Sequence, residues 1–251
     1  METAAEPVVA TPRGRIPWIT LAIGCVALAI LIGLGVWQLE RLAWKEGLLA
    51  TIQERVSAPP IDLSEALANG RTIAEQEYRT VRLEGEFLHG SERHFLSTWQ
   101  GEAGFNVYTP LKLGDGTLVF VNRGFVPYDR KDAATRAEGQ VSGRVKLSGL
   151  LRTALAEKPG AMVPDNEPGK NVFYWKDLRE MAASANLPAD AAVLGLFVDA
   201  DAAPNPGGLP TGGVTLIDMP NNHLQYAVTW FGLAAALVGV LAVWAWRRVR
   251  R

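Results

Sequence analysis

Two stretches of the chain carry no charge, and the long segment between them mixes apolar and polar positions as soluble sequence does. The first, WITLAIGCVALAILIGLGVW, runs from Trp18 to Trp37, and the second, AVTWFGLAAALVGVLAVWAW, from Ala227 to Trp246. Each holds 20 residues, enough as a helix to span a hydrocarbon core of about 30 Å. Neither has a polar face, so both are predicted to cross a membrane. Trp18, Trp37, Trp230, Trp244 and Trp246 fall near the levels where aromatic side chains favour the lipid–water interface. The first run is longer than a secretion-signal core and has no small-x-small site behind it. Gln38, Glu40, Arg41, Trp44 and Lys45 follow instead, which predicts an anchor.

Between the two runs the periodicity changes twice. QLERLAWKEGLLATIQERV keeps a broken apolar stripe at helical spacing, so the first helix is expected to continue past the membrane until Pro59 and Pro60 stop it. DLSEALANG predicts a short helix, with Asp62 and Glu65 as a capping box and Gly70 as its stop. From Tyr78 the period becomes two. YRTVRLEGEF, HFLSTW, FNVYTPLKL, TLVFVNRGFVP, VSGRVKLSGLLR and VLGLFVDAD read as strands, with a hairpin turn at Gly114, Asp115 and Gly116. NVFYWKDLREMAASA starts β-rich and becomes a helix near Asp177, and VTLIDMP is a brief extended segment.

No strand–helix–strand unit recurs. The expected fold is therefore two transmembrane α-helices flanking a mainly antiparallel β extracytoplasmic domain, a small barrel or sandwich with short helices. The expected segments are a disordered cytoplasmic lead (1–17), a first crossing (18–37), a domain that includes the helical extension (38–222), a second crossing (223–246) and an Arg-rich tail (247–251).

Charge gives the orientation. Arg247, Arg248, Arg250 and Arg251 follow the second crossing with no acid among them, which predicts a cytoplasmic or matrix side for both ends. The segment from Gln38 to Asn222 holds 19 basic and 24 acidic residues, a formal charge near −5 that argues against nucleic-acid binding. One cysteine, Cys25, inside the first apolar run, excludes a disulfide framework or a cysteine-based metal site. No nucleophile elbow, HExxH helix or phosphate loop is present, and no enzymatic activity is expected. The absence of a long Arg- and Ser-rich leader points to a bacterial inner membrane, with the domain periplasmic.

Two features of the helices bear on chemistry. Small residues recur at four-residue spacing, as Cys25, Ala29 and Gly33 in the first and as Gly232 with Ala236 and Ala235 with Gly239 in the second. Such rows let helices pack closely on each other or on a partner. His223 stands at the entry of the second helix, sharing a face with Ala227, Trp230 and Ala234 and with Tyr226 beside it. An imidazole there can bond lipid or backbone, or it can ligate a haem iron or another transition metal.

Four segments together resemble the SURF1 family of cytochrome oxidase assembly proteins. Gly35, Trp37, Gln38, Arg41, Trp44 and Lys45 match its membrane-exit signature. Tyr78, Arg79, Val81, Gly85 and Phe87 match a second segment. Val121, Asn122, Arg123, Gly124 and Pro127 match a third, with Phe125 where the family often has tryptophan. Asn221, Asn222, His223, Leu224, Tyr226, Ala227, Thr229 and Trp230 match the fourth. The resemblance implies a non-catalytic assembly factor for a haem a-containing terminal oxidase, similar to a haem a chaperone, with subunit I and haem a synthase as partners. It implies haem a as a transiently held cofactor and His223 as the candidate iron ligand. Arg41 and Lys45 are then candidates for the propionates, with Tyr226 and Trp230 beside the ring. Trp37, Gln38, Trp44, Asn122, Arg123 and Gly124 take structural or partner-contact roles, and Asn221 and Asn222 are expected to cap the second helix. A cofactor-free scaffold for an early oxidase intermediate is the competing expectation.

Overall fold

The computed structural model describes residues 18–215 and 220–250. The lead 1–17, most of VTLIDMP and Arg251 lie outside the described residues. Helix α1 runs unbroken from Trp18 to Ser57, 40 residues and about 60 Å, and α4 runs from His223 to Val249. Both are long and apolar enough to cross a membrane. The chain divides into two compact units. One comprises α1 as far as Leu49 together with α4, and the other starts at Ala50 and holds all the strands.

The strand unit is a closed barrel. Its strands are β1 (Ile61–Asp62), β2 (Thr80–Phe87), β3 (Arg93–Trp99), β4 (Glu102–Leu113), β5 (Leu118–Pro127), β6 (Arg144–Thr153) and β7 (Val193–Ala200). Hydrogen bonding follows the order β1-β2-β6-β7-β5-β4-β3, and an extra pairing of β2 with β4 closes the ring. Closure depends on the length of β4: residues 102–108 pair with β3, while 111–113 on the same edge pair with β2. Pairings are antiparallel except β5–β7 and β1–β2. Barrel, not sandwich, is thus the architecture.

Val81, Leu83, Leu111, Val119, Val121, Leu151, Leu196 and Val198 fill the interior, and Leu63 and Ala66 of helix α2 (Leu63–Ala68) pack into the same cluster. Each such buried aliphatic side chain is worth about 1.5–3 kcal/mol. A second core lies under helix α3 (Leu178–Ser184), where Leu178 and Met181 cover Tyr108, Phe120 and Phe197. Strand β5 is therefore buried on both faces along nearly its whole length, which is why it reads as a continuous apolar run rather than an alternation.

Local expectations divide. Asp115 bonds the Thr117 amide in the β4–β5 hairpin turn, where Gly116 has φ +87°. Asp177 caps α3 by accepting from the Glu180 amide at 3.1 Å. Asp62, however, makes no capping bond to α2 and instead pairs with Arg82 at 3.3 Å, so the expected capping box does not form. The β-rich NVFYWK segment is not a strand. Phe173 makes one bridge to Phe95, and its ring is fully buried in the core under α3.

Candidate functional site

Within the helical unit, less exposed residues of α1 recur in steps of three and four: Leu21, Gly24, Leu28, Leu31, Gly35, Gln38, Leu42, Lys45 and Leu49. Along α4 they are His223, Ala227, Trp230, Ala234, Leu237, Leu241 and Trp244. This is the spacing of a coiled-coil seam. The helices run antiparallel across it. A Cβ added to Gly24 would lie 2.8 Å from Leu241, and one added to Gly35 would lie 2.7 Å from the Phe231 ring. These two glycines, with Ala227 and Ala234, are what let the helices approach. The rows expected from sequence are not the ones used here. Cys25, Ala29, Gly33, Gly232, Ala235, Ala236 and Gly239 are all exposed, and among the described residues nothing lies within 4 Å of a Cβ on Gly33, Gly232 or Gly239.

At one end of the seam the apolar pattern gives way to polar side chains. His223 is the first residue of α4, half-buried, and its Nδ1 lies 2.7 Å from Oε1 of Gln38. Nε2 has no hydrogen-bond partner among the described residues. Two turns further along the seam from Gln38, the Lys45 ammonium donates to the Pro220 carbonyl. Arg41 is exposed and stacks its guanidinium on the Trp44 ring at 4.0 Å. Trp37, Trp44 and Tyr226 are more than half exposed, whereas Trp230 is half-buried.

The asparagines ahead of α4 do not cap it as expected. Asn222 occupies the cap position with φ −97° and ψ 9°, but its side chain makes no capping bond; its carbonyl accepts from the Tyr226 amide. The Oδ1 of Asn221 is buried with no hydrogen-bond partner among the described residues. A flattened approach (ψ near 0° rather than extended) turns the Asn222 side chain away from the amides that it would otherwise serve.

Asn122, Arg123 and Gly124 belong to β5 in the barrel unit, and each has a structural contact there. Asn122 donates to Asp199 at 3.0 Å and accepts from the Gly124 amide at 3.1 Å. Asp199 also accepts from Arg152 at 3.3 Å and Thr215 at 2.8 Å. Arg123 is 2% exposed, stacks on Phe87, and donates to the Gly139 carbonyl at 2.5 Å and to Asn205 at 3.3 Å. Burial pushes its pKa down to about 10. It therefore ties loops together inside the molecule rather than meeting a partner at the surface. Gly124 has φ +122°, and a Cβ there would sit 1.9 Å from the Thr211 carbonyl oxygen, so only glycine fits.

Sequence reasoning missed a buried ionic group beside this loop. Glu92 pairs with Arg136 and, at 3.2 Å, with His94. Burial alone would raise the Glu92 pKa, but hydrogen bonds from His94 and Arg136 outweigh it and hold the carboxylate low. Glu92 and His94 flank the start of β3, but Arg136 lies 44 residues beyond Glu92, so no local spacing announces the group. A cavity of about 830 Å³ lined by Leu63, Leu67, Leu83, Leu147, Arg82 and Lys146 contains none of the site residues singled out from the sequence.

Comparison with known proteins matches the sequence to one family. The SURF1 family model covers residues 25–235. The chain is 37% identical over 262 aligned residues to a SURF1-like protein of Monosiga brevicollis, spanning 99% of this chain and 94% of that one. It is 36% identical over 266 residues to Surfeit locus protein 1 of Mus musculus, with 100% and 80% covered. To the Homo sapiens protein of the same name it is 34% identical over 236 residues, with 87% and 74% covered. The match takes in both long apolar helices in part and the whole barrel between them, and the chain belongs to the SURF1 family.

Proposed function

We propose that the chain is a non-catalytic membrane factor that holds haem a transiently through His223 during assembly of a haem a-containing terminal oxidase. The observation that carries this reading is the state of the His223 imidazole. Its Nδ1 is engaged by Gln38, while Nε2 has no partner among the described residues and stands at the start of an apolar helix. An imidazole with one nitrogen engaged and the other open has the form in which histidine ligates iron. Among the described residues, no three His, Cys, Asp or Glu side chains gather to hold a bare metal ion. A single imidazole would suit haem, because the macrocycle would supply its own nitrogen donors to the iron.

The surroundings fit that cargo. Tyr226 and Trp230 on α4 offer aromatic surface to an apolar macrocycle. Arg41 makes no hydrogen bond to an acceptor among the described residues, so its donors are available to a propionate. Lys45 is the weaker candidate because its ammonium already serves the Pro220 carbonyl. The buried, unpaired Asn221 Oδ1 lies two residues from His223 and is a further polar group that a ligand could satisfy. Arg247, Arg248 and Arg250 at the other end of α4 support cytoplasmic termini, with the barrel on the periplasmic side of a bacterial inner membrane. Subunit I is the recipient in this reading, and haem a synthase the source.

The test is the visible spectrum of the full chain purified in detergent from cells that make haem a, beside that of His223→Ala. The wild type is expected to carry haem a and the variant to lose most of it. Equal haem in a folded variant would overturn the ligand assignment, and no haem in either would favour a cofactor-free scaffold.

A further inference from the structure

We propose that Gln38 is a positioning residue that fixes His223 as the Nδ1–H tautomer and leaves the Nε2 lone pair free to bind iron. This rests on the reading of His223 as an iron ligand for its consequence, though not for the tautomer itself.

Gln38 lies on the face of α1 that meets α4. It is 9% exposed, on a seam whose preceding members are Gly24, Leu28, Leu31 and Gly35. A primary amide turned into such a seam loses its hydration, so it is costly unless it is paired. Leucine at the same position would continue the apolar contact at no such cost. Gln38 is in phase with Gly24, Leu31 and Lys45, seven residues apart, and its turn on the helix therefore presents it to α4 rather than to the surroundings. The partner it finds there is Nδ1 of His223 at 2.7 Å.

An amide oxygen can only accept, so the imidazole must donate through Nδ1. A neutral imidazole carries one N–H, and Nε2 is then an acceptor. No protein donor meets Nε2 among the described residues, so its lone pair remains directed at whatever enters. The hydrogen bond also fixes the rotation of the ring about its side-chain bonds. This is the arrangement by which ligating histidines are oriented and made more basic by a carbonyl or carboxylate behind them. In a low-dielectric setting the bond is stronger, and its loss more costly, than at a wet surface.

The proposal is tested in the apo protein first. Full-length chain in detergent micelles, labelled with ¹⁵N-histidine, gives two-bond nitrogen–proton correlations that report which ring nitrogen is protonated. Spectra are taken at mildly alkaline pH, and His223→Ala assigns the resonance. The expected result is a protonated Nδ1 and a bare Nε2 in the wild type, shifting to a mixture in Gln38→Leu. A protonated Nε2 in the wild type, or an unchanged tautomer in Gln38→Leu, would overturn the proposal.

Haem a titrated into the same samples then reads the consequence. Gln38→Leu is expected to bind about 10–100-fold more weakly. Gln38→Glu, which keeps an acceptor and strengthens it, is expected to bind well and to lower the reduction potential of the bound haem. A merely structural role for Gln38 would not move the potential in that direction. If the tautomer shifts as proposed but His223→Ala leaves haem binding intact, the iron-ligand reading fails and the tautomer assignment stands.

Discussion

Replacing Gly124 with alanine isolates the cost of a single methyl group in β5. The added Cβ would meet the Thr211 carbonyl oxygen at 1.9 Å and the Gly212 nitrogen at 2.7 Å, both backbone atoms that cannot swing aside. Thr211 exchanges two hydrogen bonds with Phe125, at 2.9 and 2.8 Å, and the methyl group would have to push that segment off the strand. Strain at positive φ costs about 2 kcal/mol, and loss of the two bonds adds about 2 kcal/mol, a total near 4 kcal/mol. For a domain of this size that lowers the melting temperature by about 8–16 °C. Gly101 is the control: its φ is +85°, but among the described residues nothing lies within 4 Å of a Cβ there. Gly101→Ala should cost only the conformational part, about 1–2 kcal/mol. Thermal unfolding of the full chain in detergent, followed by near-UV circular dichroism, compares the two. Equal shifts would refute the claim that close approach to Thr211, beyond φ alone, demands glycine at position 124.

Two further outcomes follow from the buried polar groups of the barrel unit. Asp199→Ala takes the acceptor from Asn122 and one of two carboxylates from Arg152, which keeps Glu77 at 3.2 Å, and should cost about 1–3 kcal/mol; a denaturant midpoint unchanged from wild type would contradict this. Burial holds the His89 pKa below its ordinary value, with the Val141 carbonyl opposing the shift and Arg123 adding to it. The unfolded chain then takes up the proton more readily, so this group's contribution to stability is present above about pH 6.5 and declines as pH falls below that value. Melting curves between about pH 8 and 5 should show that decline, and His89→Gln should reduce it.

The two long apolar helices and most strands are legible in the sequence because their signals are local. Twenty uncharged residues can be read without any partner, and so can the alternation of β2, whose inward Val81, Leu83 and Gly85 lie between outward Arg82, Glu84 and Glu86. Barrel closure is not legible, since it depends on β4 meeting two strands along one edge, a fact about register between distant segments. Which face the two helices share is not legible for a different reason. Glycine and alanine are so frequent in these helices that small residues line several faces, and Cys25, Ala29 and Gly33 make the more regular row. The glycines that matter, Gly24 and Gly35, have Leu28 and Leu31 between them on the same face and form no such row. The polar interruptions are the better guide: Gln38 and Lys45 are in phase with Gly24 and Leu31, and a buried polar side chain marks the face that has something to bond. His223 is legible as a candidate by its place at a helix entry. Its partner is not, because 185 residues separate the two.

Several buried or partly buried arginines of the barrel unit reach main-chain carbonyls. Arg123 holds Gly139, Arg136 holds Arg130 and Lys131, and Arg93 holds Glu92 and Ser184. A carbonyl is supplied by every residue type, so the gripped segments can change their side chains without loosening the grip. What they cannot change freely is their length. Among relatives, the loop after β5 should drift in composition while resisting insertion and deletion, and its contacts should leave little trace in paired substitutions. The arginines would stand out as fixed points facing variable neighbours.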